Sequence, residues 1–376
     1  MGLHGPPCPS SPFPVNYRQL LRRRLHNQQL IDSDCRTAVD VVSRLGAVQA
    51  QDYPAAQWAI GLRAPGLKAA DVDAALDTGA IIRTHLLRPT WHLVAAQDVR
   101  WMLTLTAPRI RRAMAGYFRK LVLDERALAT SRRTIARAVA NRACTRAELL
   151  AAVRRADVSV DGLRSTFLVL DAELEGIICS GPRRGRQMTY TLLDARVPAV
   201  RAIPRDEALG KLAATYLAGH GPATARDFAW WAGLTLGEAR TAFETSGSSL
   251  RCESIDECVY WFLQAPLPST RRIAHVLLLP NFDEYLVAYR DRAPITAGVA
   301  SRAALSRGDL LSYRVIVDGI VSGTWKRTLS PDGVGVEVTL TEPTSSATER
   351  AIVRSAERYG AFLDRPVAIT VNRHGA

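Results

Sequence analysis

IIRTHLLRPTWHLV, residues 81–94, is the stretch whose reading decides the fold. It is rich in β-formers and carries Pro89 at its middle, so it reads as two short strands joined in a hairpin. N-terminal to it the periodicity is helical. YRQLLRRRLHNQQL (17–30) has a basic face, residues 37–51 form a second helical stretch, and a third piece starts at Ala55 beyond Pro54. KAADVDAAL (68–76) follows and stops at Asp77-Thr78-Gly79. Helices closed by a hairpin are the pattern of a winged helix.

The pattern returns downstream. Residues 126–140 are helical, and Thr145-Arg146-Ala147-Glu148 is a capping box, in which hydroxyl and carboxylate each satisfy a free amide. GLRSTFLVLDAEL (162–174) stands where a recognition helix would. GIICSGPRRGRQMTYTLL (176–193) then gives strand, basic tip and strand. A third unit has a helix over 206–217, a break at His220-Gly221-Pro222, and caps at Thr224 and Thr235 around the turn at Gly233, a helix-turn-helix signature. Trp230 and Trp231 are read as core packing, and the run Tyr260-Trp261-Phe262 as a closing strand. Past Arg271 strand alternation dominates, with turns at Asp318-Gly319 and Pro331-Asp332-Gly333, before a charged helix (349–362) and a last strand (367–371). The expected fold is α+β: three tandem winged-helix units followed by a β-rich C-terminal domain. The expected boundaries are a tail at 1–16, units at 17–110, 111–200 and 201–270, and the β-rich domain at 271–376.

The 376 residues are too many for one ordinary core, and a 47% hydrophobic fraction suits a folded, soluble chain. No apolar run is long enough to span a bilayer, and MGLHGPPCPSSPFP lacks the charged start and apolar core of a secretory signal. A cytoplasmic protein with no membrane partner is expected, and nothing demands more than a monomer. Six scattered cysteines without a C-x-x-C pair argue against a zinc site or disulfide framework and for reduced thiols. Lys plus Arg number 49 against 36 Asp plus Glu, a net charge of +13, which favours a polyanionic partner. Arg183, Arg184 and Arg186 at the second hairpin tip are placed to meet phosphates.

RLGAVQAQDYPAAQWAIGL (44–62) is the other informative stretch. Gln49 and Gln51 flank Ala50 just before Asp52-Tyr53-Pro54, and Pro54 disfavours helix at Tyr53, so a break is expected there. A polar pair beside a break can face a cleft or satisfy a buried turn, and the residues alone leave both readings open. Asp52 reads as a cap. Asp283-Glu284 has the look of a metal pair, but no nearby His or third acid supports one. A structural or domain-contact role is expected there, and neither metal nor organic cofactor is predicted.

Four motifs carry a resemblance: Val48-Gln49-Ala50-Gln51-Asp52, Arg88-Pro89-Thr90-Trp91-His92-Leu93-Val94, Leu279-Pro280-Asn281-Phe282-Asp283-Glu284-Tyr285, and Val321-Ser322-Gly323-Thr324-Trp325-Lys326-Arg327. In that order the chain resembles the winged-helix DNA-binding proteins that include the AlkZ and YcaQ DNA glycosylases. Pro89 departs from the glycine more usual there. The resemblance implies a concave scaffold for double-stranded DNA, with Gln49 and Gln51 as the catalytic pair of the AlkZ-like, Gln-x-Gln branch. It implies excision of bulky alkylated guanines, unhooking of interstrand crosslinks, and self-resistance in producers of DNA-alkylating compounds. Arg88, Trp91 and His92 on the first wing, with Arg164, Arg183, Arg184 and Arg186 in the second unit, are the expected DNA contacts. Gln49 and Gln51 favour a monofunctional glycosylase over the alternative, a non-catalytic winged-helix regulator. One difficulty stands: residues i and i+2 do not share a face of an α-helix.

Overall fold

The computed structural model describes residues 16–246, 250–264, 275–296 and 312–373. Helix α1 (Tyr17–Asn27) packs against a helix of the third group, introduced below. The first group comprises α2 (Ala38–Leu45), β1 (Val48–Gln49), α3 (Tyr53–Gly61), α4 (Ala69–Thr78), β2 (Ile81–Leu86) and β3 (Thr90–Ala95). Its sheet has the order β1-β3-β2, so the hairpin read from residues 81–94 forms and gains a third, short strand.

That third strand overturns the expected helix over 37–51. The helix ends at Leu45 because Gly46 adopts φ +76°, a left-handed conformation that closes a helix. A β-carbon there would also stand 2.8 Å from Thr215 Cγ2. The chain then runs extended, and Val48 and Gln49 pair with Leu93 and His92. Pro54 sits in the first turn of α3, where its missing N–H costs nothing, and Asp52 caps that helix by accepting from Ala55 N at 3.2 Å.

Residues 96–120 form α5 (Ala96–Lys120), which runs unbroken past residue 110. The second group repeats the order of the first: α6 (Glu125–Val139), β4 (Cys144–Thr145), α7 (Arg146–Arg155), α8 (Arg164–Leu174), β5 (Ile178–Arg184) and β6 (Gln187–Leu192), with sheet order β4-β6-β5. Both bonds of the Thr145–Glu148 capping box are present. The third group has α9 (Arg205–His220), α10 (Ala225–Ala232) and α11 (Leu236–Thr245), closed by the two-stranded β7 (Leu250–Ile255) and β8 (Cys258–Leu263). It is α9 that receives α1.

The C-terminal part joins β9 (Val276–Leu279), α12 (Glu284–Val287), β10 (Arg314–Val317), β11 (Ile320–Leu329), β12 (Val334–Leu340), α13 (Ser346–Leu363) and β13 (Val367–Arg373). Its five-stranded sheet has the order β13-β12-β11-β10-β9, with β13 parallel to β12. Asp318 and Gly319 both take positive φ in the β10–β11 turn, as a tight hairpin requires. Residues 310–311 of the expected strand over 310–317 lie outside the described residues.

Two hydrophobic cores result. One joins the first hairpin to α5 and the second and third groups; the other joins α1, α2, β1 and α3 to the C-terminal sheet. The seam passes through β1 and β3, since Ala47 and Val94 belong to the first core and Val48 and Leu93 to the second. Trp58 of α3 secures the second core, donating to Leu278 O at 2.8 Å and packing on Tyr359 and Phe362. Cys35, Cys144 and Cys179 are buried free thiols and Cys258 an exposed one. Cys252 is disulfide-bonded, against the expectation of reduced thiols. Among the described residues no helix is long and apolar enough to cross a membrane.

Candidate active site

Extended backbone resolves the difficulty of the two glutamines. β1 ends at Gln49 and Gln51 lies in a bend two residues on, so neither glutamine is helical and both approach β3, Gln49 opposite His92 and Gln51 at Trp91 N. Gln49 is 8% exposed, whereas Gln51 is open to solvent. Ala50 N donates to Trp91 O at 2.7 Å, which makes Gln49 and His92 a non-hydrogen-bonded cross-strand pair. In such pairs the side chains lie close together on one face. Gln51 reaches the start of β3, where its Oε1 accepts from Trp91 N at 3.5 Å.

Three further elements close on this face. Arg88, from the hairpin turn, donates through Nη2 to Gln49 Oε1 at 3.4 Å, and its guanidinium lies 5.7 Å from the Trp230 ring centroid. From the loop after β9, Asn281 Nδ2 donates to Asp52 Oδ2 at 3.2 Å. Glu284 accepts from Gln49 N at 2.8 Å through Oε1 and from Trp231 Nε1 at 3.1 Å through Oε2. Glu284 is fully buried, and desolvation pushes its carboxyl up to about 7 despite the opposing Arg88. Asp283 beside it is held by both Nη atoms of buried Arg63 at 2.8 Å. The acidic pair thus has the expected structural role, tying the C-terminal part to β1 and α3. Among the described residues no cluster of three or more His, Cys, Asp or Glu could hold a metal.

Trp91 is braced from behind. Its Nε1 donates to Glu173 Oε1 at 3.3 Å, Arg83 lies 4.3 Å over its ring, and His85 packs 4.5 Å from it. His85 Nδ1 also bonds Glu173 Oε2. His92 is fully buried. Its Nδ1 bonds Thr90 O at 3.0 Å and its Nε2 has no partner among the described residues. Burial, and secondarily Arg88, lowers its pKa well below the usual histidine value, so the ring is neutral. Thr90 Oγ1, Arg88 Nε and Asn281 Oδ1 are likewise buried without partners among the described residues. The hairpin tip and the 280–284 loop therefore hold unsatisfied polar atoms, on residues that bond Gln49 (Arg88) and Asp52 (Asn281).

Among the described residues the basic candidates Arg164, Arg183 and Arg184 of the second group bond partners other than the members of this cluster. Arg164 donates to Ser159 O, Leu121 O and Val122 O, closing the end of α5. Arg183 pairs with Asp73 at 2.8 Å and Asp77 at 3.3 Å of α4. Arg184 pairs with Glu148 at 3.0 Å. Arg186 is exposed and makes no ion pair with any described residue. Helix α8 is no exposed recognition helix, since residues 167–174 are all buried and only its first turn is accessible. Glu173, His85 and Arg83 were not singled out in the sequence, and their only signal there was polar residues inside apolar runs.

A model of the family described as "DNA glycosylase AlkZ-like" matches residues 42–362. The chain is 26% identical over 370 residues to the "Interstrand DNA cross-link repair glycosylase" of Streptomyces sahachiroi, covering 95% of this chain and 98% of that one. The solved structure of the Streptomyces sahachiroi DNA glycosylase AlkZ superposes with a TM-score of 0.79 at 24% identity. That match covers 95% of this chain and 100% of the other.

Proposed function

The chain belongs to the AlkZ-like DNA glycosylase family, and from that premise we propose that it is a monofunctional glycosylase acting on alkylated double-stranded DNA. Its substrates are cationic alkylpurines of the N7-alkylguanine type, including interstrand crosslinks that it unhooks, in repair or in self-resistance to a DNA-alkylating natural product. Gln49 and Gln51 are the catalytic pair. The three helix–hairpin groups are winged-helix units, with boundaries at 17–110, 111–200 and 201–270, and the protein works as a monomer in the cytoplasm. Arg88, Trp91 and His92 belong to the DNA-facing site, and Arg164, Arg183, Arg184 and Arg186 to the DNA-binding unit, with Arg186 the one already free to meet a phosphate.

The observation that carries the reading is that both glutamines approach β3, the sheltered Gln49 paired with His92 and the exposed Gln51 accepting from Trp91 N. A glutamine carbonyl is too weak a base to deprotonate water. It suffices where the glycosidic bond breaks first. An N7-alkylated guanine is cationic, so the electron pair of the C1′–N9 bond leaves with a neutral base, and the sugar becomes oxocarbenium-like. Water then adds at C1′ and loses a proton. The protein's task is to place that water and to stabilise the cationic sugar, together with the DNA phosphates. No lysine bonds either glutamine among the described residues, which favours water over a Schiff base.

The test is base release from a duplex carrying one 7-methylguanine, read as alkali-labile abasic sites, for wild type, Gln49→Ala and Gln51→Ala. Release by wild type and loss in either variant is expected. DNA binding without release, on this substrate and on a crosslinked duplex, would refute the enzyme and leave a winged-helix regulator. Efficient uracil release would refute the restriction to cationic bases.

A further inference from the structure

We infer that His92 is a catalytic residue of this reaction: its Nε2 is the acceptor that holds the attacking water beside Gln49 and takes up its proton. The inference rests on the functional reading above and supplies what that reading lacks. Water adding to the sugar must give up a proton, and neither glutamine accepts one readily.

The geometry is specific. Register places His92 directly across from Gln49, in the pair type that brings side chains closest. On the other side of β3 its neighbour is Thr84, which is also buried. The Nδ1–H donates to Thr90 O, so in the neutral ring the lone pair is on Nε2. That nitrogen is fully buried and makes no hydrogen bond to any described residue, a costly arrangement for a structural histidine. Thr90 Oγ1, two residues back on β3 and so on the same face of the strand, and Gln49 Oε1 provide the other ligands of a bound water. In the step itself the water oxygen bonds C1′, its proton passes to Nε2, and the imidazolium returns it to solvent before the next turnover. A ring this reluctant to stay protonated releases the proton readily.

The two amide replacements of histidine separate catalysis from structure. In His92→Asn the amide NH₂ reproduces Nδ1 and keeps the bond to Thr90 O, but nothing stands at Nε2. In His92→Gln the longer side chain places a carbonyl oxygen near Nε2 and gives up the Thr90 bond. Single-turnover release of 7-methylguanine should fall about 100-fold in His92→Asn and only several-fold in His92→Gln, with the Kd for undamaged duplex unchanged in both. A structural role predicts the reverse order. Unimpaired release by His92→Asn, or equal loss in both variants, overturns the proposal. The imidazole ¹⁵N shift of His92 should report an unprotonated Nε2 in the free protein, and a protonated one also overturns it. If wild type releases no base from methylated or crosslinked duplex, the functional reading fails and this inference with it. Loss of release in Gln49→Ala with none in His92→Asn sinks this inference alone.

Discussion

Breaking the Arg63–Asp283 pair should cost more than any surface change, and its size follows from what would be left behind. Both side chains are fully buried. The Arg63 guanidinium makes two bonds of 2.8 Å to the Asp283 carboxylate, one of 2.7 Å to Gln28 Oε1 and one of 2.8 Å to Ala59 O. In Arg63→Met, Asp283 keeps only the amide of Tyr285 as a described donor. A buried carboxylate stripped of its cation destabilises by about 3–5 kcal/mol. Asp283→Leu should cost a similar amount by stranding the guanidinium. The double variant Arg63→Met/Asp283→Leu removes both charges and should recover most of that loss, keeping a deficit of about 1 kcal/mol from the lost cap on α12. Urea unfolding followed by tryptophan fluorescence reads this directly, since Trp58 lies on α3 within the same core. With each single variant losing about 3–5 kcal/mol and the double about 1, the double-mutant cycle should show a coupling of about 5–9 kcal/mol. Single variants costing less than about 1 kcal/mol, or additive effects in the double, would refute the account of this loop as an ionic anchor. The anchor matters for the site because Glu284, the next residue, holds the backbone of Gln49.

Three further outcomes are expected. Burial pushes the Glu284 carboxyl up to about 7 in the folded chain from the ordinary glutamate value of 4.5, so the folded state binds its proton more tightly. Its contribution to stability is full below 4.5 and lost as pH rises through 7, by about 3 kcal/mol. Unfolding free energies measured across that range should fall with pH in wild type and less steeply in Glu284→Gln; equal slopes would refute the assignment. Arg186→Ala should weaken duplex binding and reduce the salt slope by about one, whereas Arg183→Ala should lower the melting temperature with little change in slope. The opposite pattern would show Arg183 leaving Asp73 and Asp77 to meet DNA. Gly46→Ala forces an L side chain to φ +76° and against Thr215, so a loss of about 1–3 kcal/mol is expected by calorimetry, with slower base release.

Much of the local structure was legible because its causes are local. The capping boxes at Thr145, Thr224 and Thr235 all form, since each needs only a hydroxyl and an acid three residues on. The hairpins at 81–94 and 176–193 form for the same reason, as strand formers around a turn. What failed had causes elsewhere in the chain. Helix α5 received no assignment, as Pro108 interrupts its pattern and much of its stability comes from packing on α8, α9 and the first hairpin. Helix α8 was assigned correctly and its role was not, because the sequence does not reveal that other groups cover it. Arg183 was read as a phosphate contact, since nothing local announces that Asp73 and Asp77, over a hundred residues earlier, would meet it.

The glutamine pair was found in the sequence and misplaced on a helix, and the error shows what the site requires. A helix would turn Gln49 and Gln51 about 200° apart, so one lesion could not meet both on one side. A short strand ending at Gln49 brings both glutamines to β3 instead, but two residues of strand have no stability alone. Gly46 ends α2 early enough to leave room for the strand, and Asp52 with Pro54 starts α3 immediately after it. β3 supplies the pairing, and Glu284, 235 residues away, fixes the Gln49 amide from the other side. The motif therefore needs the hairpin and the C-terminal part together, which is why the informative residues are scattered from 48 to 285. Residues 16–264, which keep β7 and β8 and lack the C-terminal part, should leave Gln49 N and Trp231 Nε1 without their Glu284 partner. Such a truncated chain should retain duplex binding through the helix–hairpin groups and lose base release, as gel shift and abasic-site assays on one preparation would show. Base release at the wild-type rate by that fragment would refute the view that the C-terminal part completes the site.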